Sequence, residues 1–160
     1  MKINIIAAVG KNLELGKDNK LIWHISEDLK YFKEMTMGKT VVMGENTYHS
    51  IGKALPGRNN VVLSFDKKDI PGVLVLNNYN DVFKLDYDEV FIIGGASIYE
   101  LFLPYSDNLY LTEIDEEESS CDCYFPSFDK SLYDKTIIRE GKSLDIKYLF
   151  VCYKRKEKML

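Results

Sequence analysis

The 160-residue chain has little of what several classes of protein need. It contains three cysteines, two histidines and one tryptophan, and its acidic residues outnumber its basic ones to give a net charge of −4. Phosphate backbones are held by clustered lysine and arginine, so this charge argues against a nucleic-acid-binding role. We therefore expect a small-molecule partner.

The cysteines and histidines do not form a metal-binding or disulfide pattern. Cys121, Cys123 and Cys152 cannot all pair with one another, and a Cys-x-Cys spacing is not usual for zinc or redox sites. His24 and His49 lie in a different stretch of the sequence. We predict three free thiols and no metal site.

Long apolar runs are also missing. No uninterrupted apolar segment is long enough to cross a bilayer, and the first residues lack the apolar core and cleavage site of a signal peptide. We expect a cytoplasmic protein without a membrane association.

What is present is the composition of an ordinary globular domain. Hydrophobic residues make up 46% of the chain and charged residues 29%, and no repeat, low-complexity tract or linker interrupts it. A length of 160 residues suits one core. The sequence predicts a single domain over residues 1–160.

Apolar runs typical of strands covered on both faces alternate with stretches of helical spacing. The runs are residues 3–9, 40–43, 60–64, 73–76 and 89–93. Residues 108–114, 136–139 and 147–154 then read as strands with little helix between them, which favours antiparallel pairing. The sequence predicts an α/β fold with a mixed sheet of eight strands, mostly parallel, with an antiparallel C-terminal edge and about four flanking helices.

A carboxylate lies on the apolar face of the first predicted helix. Ser26 is a good N-cap residue, and Asp28 shares one face with Leu29, Phe32 and Met35. A carboxylate in that position needs a partner, although Asp28 at the surface would also complement the helix dipole.

Trp23 lies just before this helix and carries an indole N–H that seeks a partner when buried. Core packing alone would also explain it. His24 is assigned no role, because no serine or cysteine nucleophile motif lies near it.

Two strand-to-helix junctions carry glycine, at Gly44 and at Gly94-Gly95. Free N–H groups at two neighbouring junctions would suit the two phosphates of a dinucleotide. Neither junction has the Gly-x-Gly-x-x-Gly or Walker pattern, and each glycine taken singly is also explained by a tight turn.

Arg58 is the one arginine of the first 138 residues and ends a turn-rich segment. Its planar fork would grip a carboxylate with two hydrogen bonds, whereas the alternative is an ordinary surface charge.

Taken together and in their order along the chain, these motifs resemble those of a dihydrofolate reductase of the bacterial type over nearly the whole sequence. The matching stretches are residues 5–8, Leu15-Gly16, Trp23, residues 27–33, residues 42–44 with Thr47, residues 50–52, residues 55–60, residues 92–95 with Ile98-Tyr99, residues 109–112, Asp122 and Phe125-Pro126.

The resemblance implies a pterin site. Asp28 matches the carboxylate that binds the pterin 2-amino group and N3, Thr112 its hydrogen-bond partner, and Trp23 the tryptophan that holds an ordered water. Arg58 matches the arginine that grips the α-carboxylate of the glutamate tail. The remaining substrate-binding positions implied are Ile6, Ala8, Leu21, Leu29, Phe32, Ile51, Leu55 and Ile93.

The resemblance also implies an NADPH site at the two glycine junctions, with a cis peptide bond between Gly94 and Gly95 and a mobile loop after the first strand. The implied cofactor-binding positions are Ala8, Leu15, Gly16, Gly44, Glu45, Asn46, Thr47, Leu63, Ser64, Phe65, Ile93, Gly94, Gly95, Ala96, Ser97, Ile98 and Tyr99.

The activity implied is hydride transfer from NADPH to pterin C6 with a proton reaching N5 through water, which supplies one-carbon metabolism. Activity should fall as the pH rises, because N5 must be protonated. Diaminopyrimidine and pteridine antifolates are the expected inhibitors, and a monomer is the family default.

Several positions depart from the family pattern. Glu45 and Ser97 stand where many bacterial members have arginines that attract the cofactor phosphates, so we expect NADPH use with weakened discrimination against NADH. Ser64 with the following Lys67 and Lys68 would compensate.

Three loop positions depart as well. Ile22 and Ser26 replace common prolines, which predicts a more mobile loop, and Cys121 replaces a frequent glycine beside Asp122, which predicts a disturbed contact between the two loops.

Two alternatives stay open at this point. The first is the pyrimidine reductase of riboflavin synthesis, which has the same fold, and the second is a nucleotide-binding module without catalytic activity.

Overall fold

The computed structural model of the chain describes residues 1–18, 20–66 and 69–156. The strands in these residues are β1 (Lys2–Val9), β2 (Glu14–Lys17), β3 (Lys20–Leu21), β4 (Thr40–Gly44), β5 (Asn59–Leu63), β6 (Leu74–Leu76), β7 (Glu89–Gly94), β8 (Asn108–Ile114), β9 (Cys123–Tyr124), β10 (Tyr133–Ser143) and β11 (Ile146–Arg155). The helices are α1 (Ser26–Thr36), α2 (Glu45–Ile51) and α3 (Ala96–Phe102), with short 3-10 helices at Tyr79–Lys84, Leu103–Tyr105 and Lys130–Leu132.

The main sheet has eight strands in the order β10-β11-β8-β1-β7-β4-β5-β6. The six strands from β8 to β6 run parallel, whereas β11 runs antiparallel to both β8 and β10. This confirms the predicted mixed sheet with its antiparallel C-terminal edge. The helices α1, α2 and α3, together with the six-residue 3-10 helix Tyr79–Lys84, agree with the prediction of about four flanking helices.

The core lies on both faces of the parallel strands. Ile5 of β1 points to the face covered by Phe102 of α3, and Ile6 points to the opposite face, which Phe32 of α1 covers. Successive strand residues point to opposite faces, so a strand buried on both sides must be apolar at nearly every position. The apolar runs of the sequence therefore marked these strands correctly.

A second sheet of three strands, in the order β3-β2-β9, was not predicted. It joins the segment after β1 to the segment before Pro126, and its strands are two to four residues long. Strands this short are too brief to show a periodic pattern in the sequence. They are held by main-chain hydrogen bonds to a distant segment, which no local pattern reveals.

Helix α1 begins one residue earlier than its cap pattern indicated. The N-cap residue is Ile25, in an extended conformation and without a side-chain cap hydrogen bond, and Ser26 is the first helical residue. Ile25 is 3% exposed and packs with Tyr31 and Phe150. Burial of Ile25 therefore fixes the start of the helix, and the prediction of Ser26 as the N-cap was wrong.

None of the helices formed by residues 1–18, 20–66 and 69–156 has the length and apolar composition needed to cross a membrane. The three cysteines are free thiols, each of them half-buried.

Candidate active site

The candidate site lies where the central parallel strands end. β1, β7 and β4 are neighbours in the sheet, so their carboxyl ends meet at the same edge. In parallel α/β sheets, ligands bind in the crevice outside this edge. The two glycine junctions follow directly from the ends of β4 and β7, whereas α1 begins after β2 and β3.

Asp28 and Thr112 meet at this edge. Thr112 belongs to β8, where its main chain pairs with Ala8 of β1, and its Oγ1 donates a hydrogen bond of 2.6 Å to Asp28 Oδ1. Thr112 is 2% exposed, and Asp28 is half-buried in the first turn of α1. Burial raises the pKa of the Asp28 carboxyl, and the hydrogen bond from Thr112 opposes this increase.

Trp23 packs beside these residues. It is half-buried and contacts the cluster formed by Ile25, Tyr31 and Phe150, as does Ala8 at the end of β1. A Cβ atom added to Gly10 would lie 2.6 Å from Trp23 Cη2. The glycine therefore lets the indole pack closely against the loop that follows β1.

The apolar positions expected around the pterin divide into two groups. Phe32, Leu55 and Ile93 pack against the cluster that contains Ile6. The other three are exposed at the surface and are Leu21 (48%), Leu29 (54%) and Ile51 (38%). Large exposed apolar side chains near a strand-end crevice are typical of a ligand site that is open.

Arg58 is tied to the helix that carries Asp28. Its Nη1 donates to Thr36 Oγ1 at 3.1 Å, and its Nε donates to the carbonyl oxygen of Pro56 at 2.9 Å. Thr36 is the last residue of α1. These bonds orient the guanidinium, and partial burial lowers its pKa without removing its charge.

The two glycine junctions lie side by side, because β4 and β7 are paired. Gly44 is the N-cap residue of α2, Gly95 is the N-cap residue of α3, and the Gly94–Gly95 peptide bond is cis. Gly94 has φ +134°, and a Cβ atom there would lie 3.3 Å from Thr47 Oγ1. A larger residue at position 94 would thus be strained and would fill the space between the two junctions.

The remaining cofactor positions are distributed over several elements. Leu15 and Gly16 lie on β2, Asn46 and Thr47 in the first turn of α2, and Leu63 at the end of β5. Ala96, Ser97 and Ile98 form the first turn of α3. The exposed Phe65 follows β5.

Tyr99, the last of the implied cofactor positions, is almost fully buried. It is 4% exposed, and its hydroxyl donates a hydrogen bond of 2.8 Å to the carbonyl oxygen of Ile6. Burial raises the pKa of this hydroxyl well above its usual value. In this structure Tyr99 therefore braces α3 against β1.

Glu45 and Ser64 come together beyond β4 and β5. Ser64 Oγ lies 2.6 Å from Asp66 Oδ1 and 3.3 Å from Glu45 Oε1. His49 Nε2 lies 4.0 Å from Glu45 Oε1. Lys67 and Lys68, which were expected to compensate for Glu45, lie outside the described residues.

The contact between the two loops is intact despite Cys121. The Asp18 amide donates to Asp122 Oδ2 at 3.0 Å, and the Asp122 amide donates to the carbonyl oxygen of Gly16 at 3.2 Å. Cys121 Sγ itself lies 3.1 Å from the same carbonyl oxygen. The prediction of a disturbed contact was wrong, because the thiol adds a partner for this carbonyl group.

Sequence reasoning missed Glu14, which is 1% exposed and accepts hydrogen bonds from the amides of Asn12 and Glu118, one in each of the two loops. Its only signal in the sequence is a carboxylate between Leu13 and Leu15.

The sequence profile described as "Dihydrofolate reductase" matches residues 2–155 of this chain. The chain is 39% identical over 161 residues to a dihydrofolate reductase of Bacillus subtilis, covering 96% of this chain and 95% of the relative. It is 41% identical over 155 residues to the type 3 dihydrofolate reductase of Salmonella typhimurium, covering 95% and 94%. A solved structure of dihydrofolate reductase from Enterococcus faecalis, complexed with NADP(H) and RAB-propyl, superposes with a TM-score of 0.88 at 30% identity, covering 98% of this chain and 97% of that chain. This chain belongs to the dihydrofolate reductase family.

Proposed function

We propose that this chain reduces 7,8-dihydrofolate to 5,6,7,8-tetrahydrofolate, with bound NADPH supplying the hydride for pterin C6 and water delivering the proton to N5. The observation that carries this proposal is the hydrogen bond between Thr112 and Asp28 beside paired glycine junctions. Family membership over residues 2–155 supports it.

Asp28 recognises the pterin in this proposal. An ionised carboxylate has two acceptor oxygens, which suit the paired donors at the pterin 2-amino group and N3. The Thr112 hydroxyl donates a hydrogen bond to Asp28 Oδ1 and so fixes the rotation of the carboxylate. Asp28 promotes protonation at N5 by its charge, and Trp23 holds the water that carries the proton.

The chain fits a dinucleotide at its glycine junctions. Cβ atoms at Gly44 and Gly94 would lie 3.0 Å from Ile98 Cγ1 and 3.3 Å from Thr47 Oγ1, so only glycine leaves this cradle open. The residues of β2, the first turns of α2 and α3 and the end of β5 would hold the cofactor. Their part in catalysis is to orient the two reactants and exclude water.

Arg58 binds the α-carboxylate of the glutamate tail. Its hydrogen bonds to Thr36 and Pro56 present the guanidinium in one orientation, which suits bidentate recognition of a carboxylate. The apolar side chains of Leu29, Ile51 and Leu55 cover the ring system between the pterin and this tail.

The protein works as a single domain over residues 1–160, as a monomer in the cytoplasm, and supplies one-carbon metabolism. Diaminopyrimidine and pteridine antifolates inhibit it by occupying the pterin site at Asp28.

The experiment is dihydrofolate-dependent loss of NADPH absorbance, measured for the wild type beside Asp28→Asn. We expect turnover in the wild type and a loss of about a hundredfold or more in the variant at neutral pH, because the amide lacks the charge that favours N5 protonation. Asp134→Asn, an exposed aspartate on β10, is the matched control and should turn over normally. A folded wild type that binds NADPH without turnover would contradict the proposal and favour the pyrimidine reductase or the binding module.

A further inference from the structure

Glu14 is a buried carboxylate that the proposed chemistry does not use. It is 1% exposed on β2, between Leu13 and Leu15, which both pack against the main core. Burying a charge is costly unless hydrogen bonds compensate for it. An apolar side chain would be the ordinary residue here, so this carboxylate calls for a specific explanation.

Each of its oxygens accepts a hydrogen bond from a different segment. Oε1 accepts from the Asn12 amide at 2.7 Å, and Oε2 accepts from the Glu118 amide at 2.7 Å. The two amides are 106 positions apart in the chain and belong to the loops that flank β2 and β9. Hydrogen bonds of this length to an ionised acceptor are among the stronger ones in proteins.

The surrounding contacts join the same two loops. The Lys11 amide donates to the carbonyl oxygen of Glu116 at 2.9 Å, and the Phe125 amide donates to the carbonyl oxygen of Leu13 at 2.8 Å. A cavity of about 250 Å³ beside Glu14 is lined by both loops. Residues 10–17 and residues 115–125 thus form one contact between two loops, here named the joint. Glu14 lies at the centre of this joint.

The joint reaches the site through Gly10 and Trp23. A Cβ atom on Gly10 would lie 2.6 Å from both Glu14 Oε1 and Trp23 Cη2. The next residues along β2 are Leu15 and Gly16, two of the positions assigned to the cofactor site. The carboxylate is thus connected to Trp23 through Gly10, and to Leu15 and Gly16 through the main chain of β2.

Burial raises the pKa of Glu14, and the hydrogen bonds from the amides of Glu118, Glu14 itself and Asn12 together lower it by more, so that it lies below its usual range. The side chain is accordingly ionised at neutral pH and can accept from the Asn12 and Glu118 amides at once.

We propose that Glu14 is a positioning residue for hydride transfer: its carboxylate holds residues 10–17 against residues 115–125, and so keeps Leu15, Gly16 and Trp23 in place around the reactants. This inference rests on the proposed function. It assigns Glu14 no contact with the substrate or the cofactor.

Two variants separate positioning from stability. Glu14→Gln keeps the volume but replaces one acceptor by an NH2 group that faces an N–H donor. Glu14→Leu matches the flanking leucines and removes the buried charge, but it leaves the Asn12 and Glu118 amides without their acceptor, so its melting temperature is measured beside its activity. Glu117→Gln, an exposed glutamate of the same loop, controls for the loss of one negative charge.

The experiment measures single-turnover hydride transfer, KM for dihydrofolate, melting temperature and amide hydrogen exchange for all four proteins. We expect Glu14→Gln and Glu14→Leu to transfer hydride about tenfold more slowly, with KM for dihydrofolate changed by less than about twofold. Exchange of the Asn12 and Glu118 amides should accelerate together in both variants, whereas Glu117→Gln should match the wild type.

Wild-type hydride transfer in the folded Glu14 variants would overturn the inference, as would unchanged exchange at Asn12 and Glu118. An equal loss in Glu117→Gln would overturn it too, because loop charge would then be the cause. A wild type without dihydrofolate reduction would instead contradict the proposed function, and the exchange measurement would still test the joint on its own.

Discussion

Thr112 Oγ1 and Asp28 Oδ1 are 2.6 Å apart, and this one hydrogen bond connects the middle of β8 to the first turn of α1. The two residues are 84 positions apart in the sequence. Since the hydroxyl group donates, it favours the ionised carboxylate and opposes the effect of burial on the pKa of Asp28.

Removal of the Thr112 hydroxyl should shift the pH dependence of activity. In Thr112→Val nothing opposes the effect of burial, so the pKa of Asp28 rises further and the acid limb of the kcat/KM profile moves to higher pH. We expect a loss of about tenfold in kcat/KM on that limb, corresponding to one hydrogen bond to a charged group. Thr112→Ser keeps the hydroxyl and should retain the wild-type profile; an unshifted profile in Thr112→Val would count against the role of this bond.

The same raised pKa gives a stability prediction of defined sign. Asp28 in the folded chain holds its proton to a higher pH than it does in the unfolded chain. The free energy of unfolding therefore falls as the pH rises from the ordinary carboxyl pKa to the raised one, and the fall should be larger in Thr112→Val. Urea titrations across this pH window measure both curves.

Arg58→Lys should weaken recognition of the glutamate tail. A lysine cannot reproduce the planar fork, nor the paired bonds to Thr36 and Pro56, so we expect KM for dihydrofolate to rise about tenfold. KM for a 7,8-dihydropterin substrate that lacks the glutamate tail should be the same in the variant and the wild type. Arg139→Lys on β10 is the control, and equal losses with both substrates would contradict a role in tail recognition.

Glu45→Gln should improve the use of NADPH. The carboxylate near Ser64 repels a 2′-phosphate, which NADH lacks, so its removal should raise kcat/KM for NADPH by about fivefold and leave NADH unchanged. Parallel assays with both cofactors measure this ratio. Glu140→Gln on β10 should leave the ratio unchanged, and a wild type with the full NADPH preference of the family would contradict the premise.

Tyr31→Phe should not destabilise the protein. The Tyr31 hydroxyl is buried without a hydrogen-bond partner among the described residues, and burial raises its pKa to about 12. Removing an unsatisfied polar group should raise the free energy of unfolding by about 1 kcal/mol while the ring still stacks on Phe150.

The matched control is Tyr153→Phe. That hydroxyl donates a hydrogen bond of 2.6 Å to Glu113 Oε2, so its removal should cost about 1–2 kcal/mol. Chemical denaturation of both variants makes the comparison, and a loss of stability in Tyr31→Phe similar to that in Tyr153→Phe would contradict it.

The fold was largely predictable because six of its strands run parallel and are mostly buried on both faces. Burial leaves an uninterrupted apolar run, as in Val41 and Val42 of β4, which are both fully buried. The edge strand β10 was predicted at four residues but spans eleven, because Asp134 and its mostly exposed neighbours pair through the main chain and show no apolar pattern.

The site was predictable only in part. Asp28 stood out through its position on an apolar helix face, yet its pairing with Thr112 came from the family resemblance, since no local pattern connects residues 84 positions apart. Glu14 was missed because its partners are main-chain amides. Every residue but proline has such an amide, so the identity of Asn12 or Glu118 carries no signal for this contact.

The position of β1 at the centre of the sheet has a consequence for the order of folding. Both neighbours of this strand come from late in the chain, β7 from residue 89 onward and β8 from residue 108 onward. To bring such distant segments together, the chain must close long loops. The entropy cost of closure comes before the favourable contact energy, and this slows folding. While the chain is being synthesised, β1 therefore stays without its partners until most of the sequence has left the ribosome, and it is the strand that most needs protection from aggregation during that interval.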